Sequence, residues 1–111
     1  MGKFTVGSVV LVTFPFSNLK GQKLRPALVL ANVEFSNLIL CQITSKPYTS
    51  KISIRLKSAD FATGGLPVIS YVRPDKLFTA DTTIIKRNVG QLTQVTKNEV
   101  LKNIRALFIS S

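Results

Sequence analysis

Arginine, hydroxyl and carboxylate side chains stand at the ends of three apolar segments, where together they could bind a phosphate. Arg25 directly precedes the apolar residues 26–30, and Thr44, Ser45 and Lys46 directly follow the apolar residues 38–43. Residues 73–76 (Arg-Pro-Asp-Lys) follow a third apolar segment in the same way. If these segment ends converge, their cations and hydroxyls can hold a phosphate through charge-assisted hydrogen bonds. Taken singly, each is also typical of a solvated charge or a turn.

Other kinds of chemistry are excluded by composition. The chain contains no histidine, which rules out histidine acid–base catalysis, histidine-activated serine or cysteine nucleophiles and histidine-ligated metals. Cys41 is the only cysteine and lies in an apolar segment, so we expect a buried, unreactive thiol and no intrachain disulfide. We therefore expect neither a metal nor a cofactor.

The charge balance predicts an acidic partner. The chain carries 15 Lys and Arg against 5 Asp and Glu, a formal net charge of +10. Nucleic acid, an anionic membrane surface and an acidic protein would each satisfy this excess, and net charge alone does not choose between them. No apolar run is long enough to span a membrane, and the N-terminus lacks the apolar core of a secretory signal. These features favour a cytoplasmic protein.

Several short strands are predicted over the first three-quarters of the chain. Residues 9–14, 26–30 and 38–43 are short and apolar, and the Pro-, Ser-, Asn- and Gly-containing residues 15–21 predict an exposed loop. Residues 51–57 alternate between apolar and polar side chains, which is typical of a half-solvated strand.

The second half of the chain predicts shorter elements and one helix. A turn is expected at residues 60–65, a strand at 67–72, a loop at 73–76, short strands or 3₁₀ turns at 77–79 and 84–86, and a break at 88–90. Val100, Leu101, Ile104, Leu107 and Phe108 recur at helical spacing. Thr96 and Glu99 fit a capping box, which predicts a C-terminal helix with Thr96 as its N-cap.

These elements indicate a mainly β fold with a C-terminal α-helix. A length of 111 residues suits one domain spanning residues 1–111, because two halves would each be too small to bury a useful core. Several short strands closed by a single helix favour a small, strongly bent antiparallel sheet or barrel.

Five stretches of the chain closely resemble the PemK/MazF family of type II toxins. They are residues 7–17 (GSVVLVTFPFS, followed by Gly21 and Lys23), 25–30 (RPALVL), 42–45 (QITS), 72–77 (VRPDKL) and 104–108 (IRALF). The resemblance implies an SH3-like antiparallel β-barrel that assembles as a homodimer. The chief departure is Ser8, where an acidic residue commonly follows the glycine.

The resemblance further implies a metal-independent endoribonuclease that cuts single-stranded mRNA at a short sequence. Arg25 and Thr44 would form the catalytic pair, and Arg73 and Asp75 match a second arginine and an acid that some members use. A 2′-OH can attack its own phosphate without metal, leaving 2′,3′-cyclic phosphate and 5′-OH ends. Asp75 is then the candidate base, with Arg73 paired to it or assisting the leaving oxygen.

RNA binding is expected of a wider set of side chains. Basic loops and aromatic stacking commonly hold single strands. The candidates are Phe16, Lys20, Lys23, Gln42, Ser45, Lys46 and Lys76. Phe16 is equally compatible with a place in the core.

The resemblance implies two partners besides RNA, and two other functions remain open. The partners are an acidic antitoxin of the MazE/PemI kind, disordered when free, and a second copy of the chain; a membrane is not expected. CcdB-type toxins of the same fold family poison DNA gyrase and cleave no RNA. A catalytically silent homologue would bind RNA or antitoxin only. Arg25-Pro26 together with Thr44-Ser45 favours the nuclease.

Overall fold

The computed structural model describes residues 4–14, 23–46 and 51–109, which form a mainly β structure with one helix at its C-terminal end. The strands are β1 (Ser8–Phe14), β2 (Lys23–Val33), β3 (Asn37–Thr44), β4 (Ile54–Leu56), β5 (Phe61–Gly64), β6 (Ser70–Asp81) and β7 (Ile85–Leu92). Short 3₁₀ turns at Ser58–Asp60 and Thr82–Ile84 precede β5 and β7. The helix, α1, runs from Gln94 to Ile109.

All the strands belong to one antiparallel sheet with the order β4-β6-β3-β2-β1-β7-β5. The sheet curls into a nearly closed barrel, which confirms the predicted fold class. β2 and β3 are its central strands, joined by a tight turn at residues 34–36. The segment ends that carry Arg25 and Thr44 are therefore on neighbouring strands.

The sheet is covered on both faces. Val9, Leu28, Cys41, Val72 and Val100 belong to a core between one face and the helix. A second core on the other face contains Val10, Val12, Ala27, Val29, Leu38 and Leu40. Burial on both faces explains why β2 and β3 have continuous apolar runs rather than alternating ones.

Strand positions were predicted better than strand bounds. The strand expected at 51–57 is confined to Ile54–Leu56, the turn expected at 60–65 contains β5, and the strand expected at 67–72 begins only at Ser70. The break expected at 88–90 was wrong, because β7 continues through it. Gly90 is buried there because Phe61 of β5 lies against it, and an added Cβ would come within 2.8 Å of that ring.

The loop expected at residues 73–76 is instead part of β6. Cys41 pairs with Leu77 and Ile43 pairs with Val72. Only Gln42 separates the two paired residues on β3, whereas residues 73–76 separate their partners on β6. Residues 73–76 are thus accommodated as a bulge in a strand that resumes its pairing on both sides. The apolar segments on either side look separate in sequence but are one strand in the sheet.

The helix begins earlier than predicted. Thr93, not Thr96, acts as the N-cap: the Thr96 backbone N–H donates to Thr93 Oγ1 at 3.2 Å. Thr96 is buried in the first turn, and its hydroxyl donates to Asp60 Oδ1 at 2.9 Å. Both threonines have cap-forming side chains, so the sequence does not distinguish them; in the fold Thr96 bonds to Asp60, and Thr93 is the residue that accepts from the first turn.

Ser8 has a structural position. Its side chain is buried, and its hydroxyl donates to Gln91 Oε1 at 3.0 Å. Gln91 Nε2 in turn donates to the Val6 carbonyl at 3.1 Å. Ser8 thereby helps to join β1 to β7, and it does not line the groove described below.

Candidate active site

Arg25 and Thr44 meet on the central strands. Ala27 of β2 pairs with Gln42 of β3, and continuing this antiparallel register by two residues sets Arg25 opposite Thr44. Both residues are half-buried, and both contribute to the lining of the same groove, which lies where these strands end. The predicted convergence of these two segment ends is therefore present in the fold.

The groove has a volume of about 390 Å³ and lies beside the ends of β2 and β3. Apolar side chains of Leu11, Leu24, Pro26, Ile43, Leu66, Pro67, Val68 and Val89 form much of its lining. Leu24 and Val68 are more than half exposed, at 53% and 55%. Exposed apolar side chains beside cations suit a ligand that has both flat apolar parts and negative charge.

Among the described residues that line the groove, only Arg25 and Arg87 carry charge, and none has a carboxylate. Hydroxyls come from Thr44, Ser45 and Ser70, although the Ser70 hydroxyl donates to the Val68 carbonyl at 3.1 Å. The local electrostatics therefore favour an anion. The sequence analysis missed Arg87, because its place in the groove depends on β7 pairing with β1.

Thr44 is oriented by the backbone that follows it. The Lys46 backbone N–H donates to Thr44 Oγ1 at 3.1 Å. This bond uses a lone pair of the hydroxyl oxygen and leaves its proton available to a ligand. Thr44 is thus held as a hydrogen-bond donor at the rim of the groove.

A polar face of the sheet adjoins this rim. Thr44 pairs with Tyr71 of β6, and Tyr71 pairs with Arg55 of β4. Directly paired residues lie on the same face, so these three side chains share a face with Arg25 and Gln42. The alternate residues Ile43, Val72 and Ile54 are buried on the opposite face. The alternation of burial therefore leaves this face half-exposed and polar.

Arg73 and Asp75 contact each other rather than the groove. Arg73 Nη2 lies 3.4 Å from Asp75 Oδ2, with the side chains 30% and 42% exposed. Neither residue lines the groove. Arg73 is two residues beyond Tyr71 on β6, so strand alternation sets it on the polar face.

The remaining predicted RNA-binding residues are distributed around the site. Lys23, Ser45, Lys46 and Lys76 are exposed, and of these only Ser45 lines the groove. Gln42 is half-buried on the polar face. Phe16 and Lys20 lie outside the described residues, so their roles stay predictions.

Cys41 is buried, as predicted. Burial raises the pKa of its thiol to about 12, and the negative charge of Asp75 acts in the same direction. The thiol donates a hydrogen bond to the Arg73 carbonyl, with Sγ 2.9 Å from the oxygen. A protonated, enclosed thiol is a poor nucleophile, so its contribution is to packing.

Within residues 4–14, 23–46 and 51–109, no group of three or more acidic or cysteine side chains could hold a metal ion. The same part of the chain contains no helix that is long and apolar enough to cross a membrane.

Residues 5–108 match the family model described as the PemK-like, MazF-like toxin of type II toxin–antitoxin systems. A comparison with curated protein sequences gives no significant match.

Solved structures with the same fold include several toxins. An endoribonuclease from a Mycobacterial species has a TM-score of 0.73 and 17% identity, over 97% of this chain and 93% of that one. The Mycobacterium tuberculosis toxin MazF-mt6 has a TM-score of 0.74 and 18% identity, over 94% and 98%. A MazE–MazF structure from Deinococcus radiodurans has a TM-score of 0.74 and 20% identity, over 96% of each chain.

Proposed function

Because the chain belongs to the PemK-like, MazF-like family of type II toxins, we propose that it is an endoribonuclease that cleaves single-stranded mRNA without a metal. The observation that carries this proposal is the groove, where Arg25, Thr44 and Ser45 stand beside apolar side chains and none of the described lining residues has a carboxylate that would oppose a phosphate. Structural relatives described as endoribonucleases support the same reaction.

In the proposed reaction the 2′-oxygen of the RNA attacks its adjacent phosphorus. The bond from phosphorus to the 5′-oxygen breaks, which leaves a 2′,3′-cyclic phosphate on one product and a 5′-OH on the other. Arg25 binds the phosphate oxygens as negative charge accumulates, because its guanidinium stays protonated and can donate two parallel hydrogen bonds. Thr44 donates its free hydroxyl proton to one of the same oxygens.

The 2′-OH loses one proton in this step and the leaving 5′-oxygen gains one; Asp75 is the proposed acceptor of the first, and solvent water supplies the second, because an arginine keeps its proton. Asp75 accepts the proton of the 2′-OH, while Arg73 orients that carboxylate through their ion pair or assists the leaving 5′-oxygen. The substrate must then extend from the groove onto the polar face, past Thr44 and Tyr71. An Asp75→Asn variant with the full rate of the wild type would refute the assignment of the base.

The flanking nucleotides are held by side chains around the rim. Lys23, Lys46 and Lys76 supply exposed cations, and Gln42 and Ser45 supply neutral polar groups. Phe16 and Lys20, which lie outside the described residues, complete the proposed set: Phe16 would stack on a base and Lys20 would contact a phosphate.

Two protein partners belong to the proposal. An acidic antitoxin segment would neutralise the +10 chain and cover the groove, as charge complementarity favours. Toxins of this fold have been solved together with antitoxins, from a Mycobacterial species and from Deinococcus radiodurans. The chain is also proposed to form a homodimer, which light scattering of the purified protein would detect.

The decisive experiment incubates the purified protein with a long single-stranded RNA in EDTA and maps both the cut positions and the end groups. We expect cuts at a short recurrent sequence with cyclic-phosphate and 5′-OH ends. An Arg25→Ala variant should lose them, whereas Arg105→Ala, which removes an exposed arginine of the helix, should not. Intact RNA at high wild-type concentration would refute the nuclease and favour gyrase poisoning or a silent binding homologue.

A further inference from the structure

The hairpin tip between β2 and β3, residues 33–36, exposes a large aromatic side chain on a strained backbone. Phe35 is 86% exposed there, and Val33 is exposed beside it. Phe35 and Ser36 have φ angles of 62° and 60°, and no other described residue apart from glycine has a positive φ. Residues with a Cβ are disfavoured in this left-handed region. Packing within the chain does not explain an aromatic ring held there in solvent, and strained positions of this kind cluster where proteins bind ligands.

Backbone hydrogen bonds hold the tip in place. The Asn37 N–H donates to the Glu34 carbonyl at 3.2 Å, and the Thr82 N–H donates to the Ser36 carbonyl at 3.0 Å. The second bond ties the tip to the 3₁₀ turn that precedes β7. Phe35 is therefore carried by an anchored backbone, so little conformational entropy is lost when its ring is bound.

The surroundings of Phe35 are acidic in a strongly basic chain. Glu34 is exposed next to it, and the pairing of β3 with β6 brings the exposed Asp81 to the same end of the sheet. Residues 31–37 and 79–83, which form this end, contain no lysine or arginine. The tip thus combines an exposed ring with negative charge, in a chain whose net charge is +10.

A partner for the tip needs an apolar pocket flanked by positive charge. The groove of the candidate active site has both properties, because its described lining is largely apolar and its charged members are Arg25 and Arg87. Its volume of about 390 Å³ exceeds the roughly 150 Å³ of an apolar cavity that holds benzene. The groove therefore has room for the ring of Phe35, with the Glu34 carboxylate beside an arginine.

The tip cannot enter the groove of its own molecule. Arg25 lies near the beginning of β2 and Val33 at its end, and this strand of 11 residues extends over a distance on the order of 30 Å. The tip and the groove are thus at opposite ends of the sheet. A contact between them must join two copies of the chain head to tail.

We propose that the hairpin tip of one molecule docks in the groove of a second copy of this chain. Phe35 fills the apolar part of the groove, and Glu34 lies against its arginines. A joined pair still has one unoccupied tip and one unoccupied groove, so assembly is open-ended. The docked tip covers Arg25 and Thr44 and would inhibit RNA cleavage at high protein concentration. This consequence rests on the proposed function, whereas the contact itself does not.

The test measures the mean molecular mass by light scattering from low micromolar to submillimolar concentration. Physiological salt is used, because it screens the repulsion between two +10 chains beyond about 8 Å and a close ion pair much less. The wild-type mass should rise beyond that of a dimer. Phe35→Gly, which removes the ring, and Leu24→Glu, which adds a carboxylate to the groove, should each abolish this rise. Phe108→Ala removes a phenylalanine that is 75% exposed on α1, and this matched control should associate like the wild type.

A mixture of the two variants gives a result that only a contact between tip and groove predicts. Phe35→Gly retains the groove and Leu24→Glu retains the tip, so an equimolar mixture should form complexes heavier than those of either variant alone. A mixture with only the mean mass of the two separate samples would overturn the proposal. So would a wild-type mass that never exceeds that of a dimer, or either variant associating like the wild type.

Urea unfolding of Phe35→Gly provides a separate check on the strained turn. Glycine adopts a positive φ without strain, so this variant should unfold at a higher urea concentration than the wild type. A lower urea midpoint would show that the ring serves stability and would overturn a binding role for it. The mass measurement contains no RNA, so a failed nuclease leaves its result unchanged, and a failed contact leaves the cleavage assay in EDTA unchanged.

Discussion

Arg25 is proposed to act through both its charge and its planar shape. A lysine keeps the charge but not the two parallel donors that match phosphate oxygens. We expect Arg25→Lys to lower the single-turnover cleavage rate by about 10²- to 10³-fold, the usual effect of losing one donor to a developing oxyanion. Arg105→Lys is the matched control on the exposed face of α1 and should cleave at the wild-type rate. A fully active Arg25→Lys enzyme would show that charge alone suffices.

Cys41 makes stability depend on pH in the alkaline range. The pKa of its thiol is about 12 in the folded protein and 9.0 for an unperturbed thiol, so between these pH values the unfolded chain releases the proton more readily. The stabilisation is complete below pH 9 and declines as pH rises toward 12, by up to about 1.4 kcal/mol per pH unit. Urea unfolding of the wild type and of Cys41→Ala should therefore show a stability difference that shrinks above pH 9. A constant difference would mean that the thiol is already accessible to solvent.

Two adjacent glycines at the end of β5 should respond very differently to alanine. Gly64 has a φ of +66°, and a Cβ there would lie 2.1 Å from the Val89 carbonyl oxygen. A Cβ on Gly65 would meet nothing within 4 Å. We expect Gly64→Ala to lower the free energy of unfolding by about 2–4 kcal/mol, from left-handed backbone strain and overpacking together. Gly65→Ala should change it by less than about 0.5 kcal/mol, as measured by urea denaturation.

The helix start offers a second comparison within one element. Thr93→Ala removes the acceptor for the Thr96 N–H and should lower the free energy of unfolding by about 1 kcal/mol. Gln94→Ala, at the next and exposed position, should have little effect. A larger loss of stability for Gln94→Ala than for Thr93→Ala would show that Thr93 is not the N-cap. Thr96→Val is a separate change, since it removes the bond to Asp60 that ties α1 to the 3₁₀ turn before β5.

The net charge of the whole molecule affects how strongly it binds negatively charged partners. The chain has a net charge of +10, so its affinity for single-stranded RNA should fall as salt is added. A plot of log Kobs against log salt concentration should be linear, with a slope of about −0.7 for each phosphate contacted. An acidic peptide that covers the groove should displace the RNA, and the displacement should weaken with salt as well. Fluorescence anisotropy with labelled RNA measures both. Affinity independent of salt would contradict a binding mode based on phosphates.

The fold class and most of the secondary-structure elements could be predicted from local sequence. Hydrophobic periodicity and turn residues determine local structure through residues only a few positions apart. The apolar runs of β1, β2 and β3, the period of α1 and the family motifs indicated a mainly β fold with a terminal helix, which the structure confirms. The Arg-Pro and Ile-Thr-Ser motifs also predicted that Arg25 and Thr44 act together, and the two residues lie on neighbouring strands. Element bounds were less predictable, because β5, β7 and the bulge at residues 73–76 depend on pairing partners far along the chain.

Which other residues join Arg25 and Thr44 in the groove was decided by the tertiary structure. Arg87 lies far from Arg25 in sequence and reaches the same groove only because β1 pairs with both β2 and β7. Asp75 has the residue type of a base, yet it pairs with Arg73 and does not line the groove. Sequence determines which side chains are present and which elements they favour locally. Which of them share a site follows from long-range strand register, since side chains of one face are gathered across strands rather than along them.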